Sequence, residues 1–525
     1  MQELKFSRLI TGATAALGLV LAAPSTASAD RFDGVRQTIR QHMLERTVPG
    51  VAVAVWKDGK ILLEEGFGWA DLENRVPANQ HTMFALASLS KPLTSVGVMT
   101  LVQAGKLDLD RPANDYLGAD QMKIWIGDPR AVTVRRLANH TSGVASGNQF
   151  LYGEDARDMM SVSENIRRYA IVAAPAGERH LYSNIGYGVL GHLIAQVSGK
   201  SYEQYMRQDV FLPLGMTHSS VYLAPGLERY QAIRYDFDRK PIPDYLSAEP
   251  ASAMVFSSVH DLARFGLFFL GQRQSDQREI LNAASREAMS REPINTKSIP
   301  TRLATKSEGG YALGWGVHDE GGYRTIGHAG AMSGVSTNFI LVPEENAGAV
   351  VLTNTEGGAG SLHLALLKSV LPKWRESAPP PAPASVANPA FQPPAQLAGR
   401  WEGRVHTPEG EQPIELNVLP TGDVHVRIGG NSRFRNRSTL RQPALLNDVK
   451  FENGELTGNT IAQIQTADTR HHPHSVSLRL TLRGDVLNGV AVAAEVYEGL
   501  WGYGLPYWTE LRAAADPKLS DAVVR

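Results

Sequence analysis

Hydrophobic positions change their period along this chain, and the change divides it. Val51 to Trp56 (VAVAVW) is a strand-like run; Lys57-Asp58-Gly59-Lys60 breaks it and Ile61-Leu62-Leu63 resumes it, which predicts a hairpin. Ser88 to Ala104 carries Leu89, Leu93, Val96 and Leu101 at helical spacing and stops at Gly105. Gly186 to Gly199 and His260 to Leu270 repeat the helical period. Asn338 to Val342 and Ala349 to Asn354 read as neighbouring strands of an antiparallel sheet, with Glu344-Glu345-Asn346-Ala347-Gly348 between them. Residues 30–375 are thus expected to form one α/β unit.

Pro379 to Pro383 and Pro389 to Pro394 bound a Pro/Ala-rich stretch that packs poorly into a core, so residues 376–395 are expected to be a linker. Beyond it the period becomes two. Ile414, Leu416 and Val418 alternate with polar residues, Thr421-Gly422-Asp423 turns the chain, and Val424, Val426 and Ile428 alternate again. Val476, Leu478, Leu480 and Leu482 repeat the pattern, which predicts a small all-β sheet or barrel over 396–513, followed by a frayed tail at 514–525.

The first 29 residues have a different character. Lys5 and Arg8 precede an apolar stretch, Ala13 to Ala23, and then Ala27-Ser28-Ala29 stands before Asp30. A charged leader, a short apolar core and an Ala-x-Ala site in that order predict a cleaved export signal, and a periplasmic or secreted product. The apolar run falls short of the roughly 20 residues that span a bilayer, so no stable membrane insertion is expected. The chain of 525 residues holds 52 basic and 53 acidic side chains, a formal net charge of −1 that gives no electrostatic reason to expect nucleic acid. It has no cysteine, which excludes thiol nucleophiles, thiolate metal sites and disulfides.

The strongest chemical signal is Ser88-Leu89-Ser90-Lys91 at a helix start. Residues three apart share a helix face, so the spacing sets a hydroxyl beside an amine. A serine hydroxyl needs a base to become a nucleophile, and a lysine of lowered pKa can be that base. Helix-start N–H groups can receive an oxyanion. A serine capping its own turn is the bland alternative. Tyr182-Ser183-Asn184 adds a tyrosine able to become phenolate-like beside a lysine, and an amide. His328-Ala329-Gly330 follows Gly321-Gly322 and leads into the strand from Asn338; an edge strand there would offer the N–H of Ala331 as a second oxyanion donor.

Together these stretches resemble the three motifs of the penicillin-recognising serine hydrolases, in the branch of class C β-lactamases, D-peptidases and related esterases. Phe84 to Lys91 (FALASLSK), Leu101 to Leu109 (LVQAGKLDL), Leu137 to Gly143 (LANHTSG) and Leu212 to Met216 (LPLGM) resemble that branch in the same order. The resemblance covers roughly residues 35–372. It implies a central antiparallel sheet flanked by helices plus an all-helical region, with the later β part a lipocalin-like barrel. It also implies an acyl-enzyme on Ser88, with Lys91 and Tyr182 sharing the proton traffic. Asn184 would contact Lys91 or the substrate, and Ser88 and Ala331 would supply the oxyanion hole. His328 departs from the lysine usual in β-lactamases; mostly neutral at pH 7, it should pull more weakly on a substrate carboxylate. The implied substrates are therefore a D-amino-acid or small peptide amide, or an ester, before a β-lactam. No cofactor or metal is expected: His471-His472-Pro473-His474 lacks zinc spacing. A ligand-binding module with little turnover is the competing reading, and Trp315, Trp401, Trp501 and Trp508 read as core or rim packing, Trp315 near the cleft.

Overall fold

A computed structural model of the chain describes residues 30–291, 294–295, 309–375, 391–429, 443–469, 474–497 and 499–514. The expected export signal, residues 376–390 of the expected linker, His471 to Pro473 and residues 515–525 of the tail lie outside these. Among the described residues no helix is long and apolar enough to cross a membrane.

The run VAVAVW is a strand, Gly50–Lys57, buried on both faces. Val51, Val53 and Val55 pack with Ile39 of the helix Asp33–Glu45 and with Leu362 and Leu366 of the helix Leu362–Val370. Ala52, Ala54 and Trp56 face the opposite layer, which includes Phe265 of the helix Val259–Phe269. Burial of both faces explains why the apolar run is continuous rather than alternating. The strand pairs antiparallel with Lys60–Asp71 through the predicted hairpin and with Ala347–Thr353 near the other end of this unit. Ala347–Thr353 in turn pairs with Val335–Val342, as the sequence suggested. Among the described residues the sheet has nine strands, and it continues through Tyr323–Met332 and Gly316–Glu320.

Helices Ser90–Gln103, Val162–Tyr169 and Asn184–Ser198 gather on one side and share a core with the sheet. Asn184–Ser198 starts two residues before the predicted Gly186, because the Ser183 hydroxyl accepts the Gly186 N–H at 3.0 Å and caps it. It ends at Gly199 with φ of 72°, the left-handed closure glycine permits.

The later part is an antiparallel sheet that curls on itself. Its path runs from Ala444–Leu445 round to Asn447–Glu452, so the two ends of the sheet are joined through the single residue Leu446 and the barrel is nearly closed. Its alternating residues, among them Ile414, Leu416, Val426, Leu478 and Leu480, fill the interior. The barrel is built into the first unit rather than tethered beside it. Its strand Leu500–Ala513 pairs with Asn148–Tyr152 of the helical region, Tyr503 opposite Gln149. Trp125 stacks on Trp508 with centroids 5.7 Å apart, Arg168 meets Asp468 at 2.8 Å, and Arg179 is paired with Glu455. Of the histidine run, His474 is buried with Nε2 accepting the Ile464 N–H at 3.1 Å.

Candidate active site

Ser88 sits in a short 3-10 turn, Ala87–Leu89, that leads into the α-helix Ser90–Gln103; the sequence had suggested one continuous helix from Ser88. The turn is held from outside. Ala87 has φ of 49°, a strained value for a residue with a side chain. The Leu86 N–H bonds to Val255 O at 2.8 Å, and the Thr337 hydroxyl donates to Leu86 O at 3.0 Å. These contacts keep the Ser88 hydroxyl at the surface of the cleft while Ser90 and Lys91 are fully buried beneath it.

Lys91 Nζ lies 3.0 Å from Ser88 Oγ and 3.0 Å from Ser252 O, over the rings of Tyr182 at 4.8 Å and Tyr187 at 5.5 Å. Complete burial holds its amine well below the usual lysine range, partly offset by the charge of Glu249. That shift favours the neutral amine, whose lone pair lies within reach of the serine proton. Tyr182 differs from expectation. Burial pushes its phenol above the ordinary tyrosine value, with Ser88 offsetting part of that cost, so it rests as a neutral phenol and not as a phenolate. A neutral neighbouring amine gives a phenolate nothing to pair with. The Tyr182 hydroxyl is buried with no hydrogen-bond partner of ordinary geometry.

Asn184 opens the capped helix, and its Oδ1 is buried without a partner. Among the described residues Asn184 Oδ1 accepts from no group, Lys91 included, so of the two roles implied for Asn184 contact with substrate is the one this geometry favours. His328 is half-buried and donates from Nδ1 to Ala329 O at 2.6 Å while Nε2 accepts from the Tyr311 hydroxyl at 2.9 Å. Crowding by protein atoms, and the proximity of Lys91, push its imidazole down to about 3. The third motif thus presents a neutral ring.

Tyr323–Met332 is an inner strand in its first half and an edge only in its second. Gly316–Glu320 pairs with it from Tyr323 to Gly327 and then ends, so His328 to Met332 pair only with Val335–Val342. That freed edge carries Gly330 and Ala331. Gly330 has to be glycine: a Cβ there would lie 2.2 Å from Leu86 O and 3.1 Å from the Ala87 Cβ. The absence of a side chain lets the strand close against the serine turn.

The sequence matches the Beta-lactamase family over residues 35–368. The chain belongs to that family. Protein flp of Staphylococcus aureus is 27% identical over 326 residues, 60% of this chain, which matches 62% of that protein's length. Penicillin-binding protein 4* of Bacillus subtilis is 28% identical over 345 residues, covering 61% of this chain and 71% of that protein. Among solved structures, SurE superposes with a TM-score of 0.59 at 21% identity, covering 91% of this chain and 99% of its own. A class C beta-lactamase superposes at 0.54 and 20% identity, covering 66% of this chain and 97% of its own. These likenesses establish the fold, and the chain spans about three fifths of the length of Protein flp.

Several groups that line this beta-lactamase-type site had no motif to announce them. Ser252 enters through its carbonyl, which any residue could supply. Glu249 is buried, accepts from Asn165 Nδ2 at 2.9 Å and from Ser247 Oγ at 3.1 Å, and has its carboxyl pushed up to about 7 by burial. Tyr311 holds His328. The barrel also reaches the rim: Trp501 N–H donates to Ser333 Oγ at 2.8 Å and its carbonyl accepts from the Tyr152 hydroxyl at 2.6 Å, two residues beyond Ala331. Trp315 is fully buried among Phe265, Phe269 and Phe339, the core packing expected of it, where the sheet meets the helix Val259–Phe269.

Proposed function

We propose that the chain is an exported serine hydrolase that cleaves a small amide, of the D-amino-acid or short-peptide class, or an ester, by acylating Ser88. The observation that carries this reading is the fully buried Lys91 amine 3.0 Å from the Ser88 hydroxyl. Lys91 takes the Ser88 proton as Oγ attacks the carbonyl carbon. The N–H groups of Ser88 and Ala331 receive the developing oxyanion. The proton passes to the leaving group through Lys91 and Tyr182, whose neutral phenol can give one proton as it takes another. Water then attacks the acyl carbon, with the same amine as base, and frees Ser88. Asn184, with its unpartnered Oδ1, orients the substrate.

Two observations favour small amides. The neutral His328 offers no cation to a β-lactam carboxylate, and the barrel segment at Trp501 is tied to Tyr152 and to Ser333, close in sequence to Ala331, where it would limit the length of a substrate. SurE, a structural neighbour that covers 91% of this chain, has a crystal structure with D-Leu. The charged leader and Ala-x-Ala site before Asp30 support export. The test is a side-by-side assay of a D-amino-acid amide, its L isomer, a short peptide, a p-nitrophenyl ester and a penicillin. Turnover of the amide or ester above the penicillin is expected. A penicillin adduct that persists on Ser88 with no turnover of any substrate would instead mark a binding module.

A further inference from the structure

We propose that His140 is a positioning residue for Tyr182, clamping the backbone on both sides of it and packing against its ring, a role that rests on the hydrolase reading above. The His140 carbonyl accepts the Leu181 N–H at 2.7 Å, and its Nδ1 accepts the Ser183 N–H at 3.1 Å. One residue thereby holds the peptide group directly after Tyr182 and the one that enters Leu181, just before it. The two rings lie 4.3 Å apart at 39°. Among the described residues no group holds the Tyr182 hydroxyl at ordinary hydrogen-bond geometry, so the phenol's placement against Lys91 depends on how its backbone and ring face are held.

The clamp is strained. His140 has φ of 61°, in the left-handed region that asparagine and glycine enter readily and other residues do not. Such strain persists where surrounding structure fixes it, and it gathers at functional sites. A bond accepted at Nδ1 places the ring proton on Nε2, so the clamp works only with a neutral imidazole. Burial, His180 and Lys91 all hold the His140 imidazole well below its usual range, which keeps Nδ1 an acceptor. Nothing in the reaction above requires His140 to exchange a proton.

Three variants separate the acceptor from the rest of the residue. Glycine and asparagine both tolerate the left-handed φ, but only asparagine places an oxygen where Nδ1 stands; glutamine places its oxygen one atom too far. His140→Gly is expected to lower kcat by about 100-fold with KM within about threefold, and His140→Asn to regain at least about tenfold of that loss. In a Tyr182→Phe background His140→Gly should cost less than about threefold, because its effect runs through Tyr182. Should His140→Gly fail to fold, His140→Asn against His140→Gln carries the test, with asparagine active and glutamine impaired. Equal activity of asparagine and glutamine, or a loss of the same size with and without Tyr182, overturns the proposal. If the unaltered chain turns over none of the substrates and Ser88 takes no acyl group, the hydrolase reading itself fails and His140 is not at issue.

Discussion

At the scale of single residues, the site turns on one amine deprived of water. Lys91 is wholly buried with a hydroxyl and a carbonyl for partners, and that environment favours its neutral form. Lys91→Ala should lower kcat/KM by about 10³-fold or more while circular dichroism is unchanged. Burial also leaves a mark on stability. A lysine held below its ordinary pKa gives up its proton on folding, so between the folded value and about 10.4 the unfolded chain binds more protons and stability rises with pH. Lys91→Met should therefore melt higher than the parent at pH 7, with the gap shrinking as pH approaches about 10.4; a gap independent of pH would mean the lysine is charged in the fold. His328 supplies a third test. His328→Lys restores a cation at the third motif and should raise penicillin turnover by about tenfold, read as kcat/KM, and an unchanged ratio of penicillin to amide turnover would show that the ring's charge is not what sets preference.

At the scale of elements, the nucleophile turn, the capped helix and the freed strand edge must meet. Gly330→Ala would push a methyl group into Leu86 O, displacing the strand or the serine turn, and a shift near 1 Å should cost about 10²-fold in kcat. Much of this was legible beforehand. The hairpin of Gly50–Lys57, the helix ending at Gly199 and the paired strands before and after Asn346 follow from period and turn chemistry, which act locally. The 3-10 turn at Ser88 was not legible, because the strain at Ala87 is imposed by Val255 and Thr337 from distant segments. Nor was the change of Tyr323–Met332 from inner strand to edge, which depends on where its neighbour stops. The sequence put Tyr182 beside a lysine, where a phenolate-like state is open to it; burial of both groups, which no local pattern announces, favours both neutral forms.

At the scale of the whole molecule, the barrel belongs to the site. Alternation gave its strands, but nothing in a period-two pattern says which edge will pair with Asn148–Tyr152 or that Trp501 will lie against Ser333. Removing residues 396–525 would bare Ile171, Ala173 and Trp125, which pack on the barrel face around Val490 and Trp508, so aggregation or a lowered melting temperature is the expected result. Loosening the rim is the gentler test. Ser333→Ala with Tyr152→Phe removes both bonds to Trp501 and should raise kcat/KM for a tetrapeptide relative to a dipeptide by about tenfold; no change in that ratio would free the barrel from any part in substrate choice.

The account stands most directly on whether Ser88 becomes acylated and Lys91 drives it. Rapid-quench mass spectrometry of the full chain with a p-nitrophenyl ester should show the acyl mass on the peptide carrying Ser88, forming slowly or not at all in Lys91→Ala and absent in Ser88→Ala. Normal turnover with no such adduct, or an adduct that forms at the parent rate without Lys91, would contradict it.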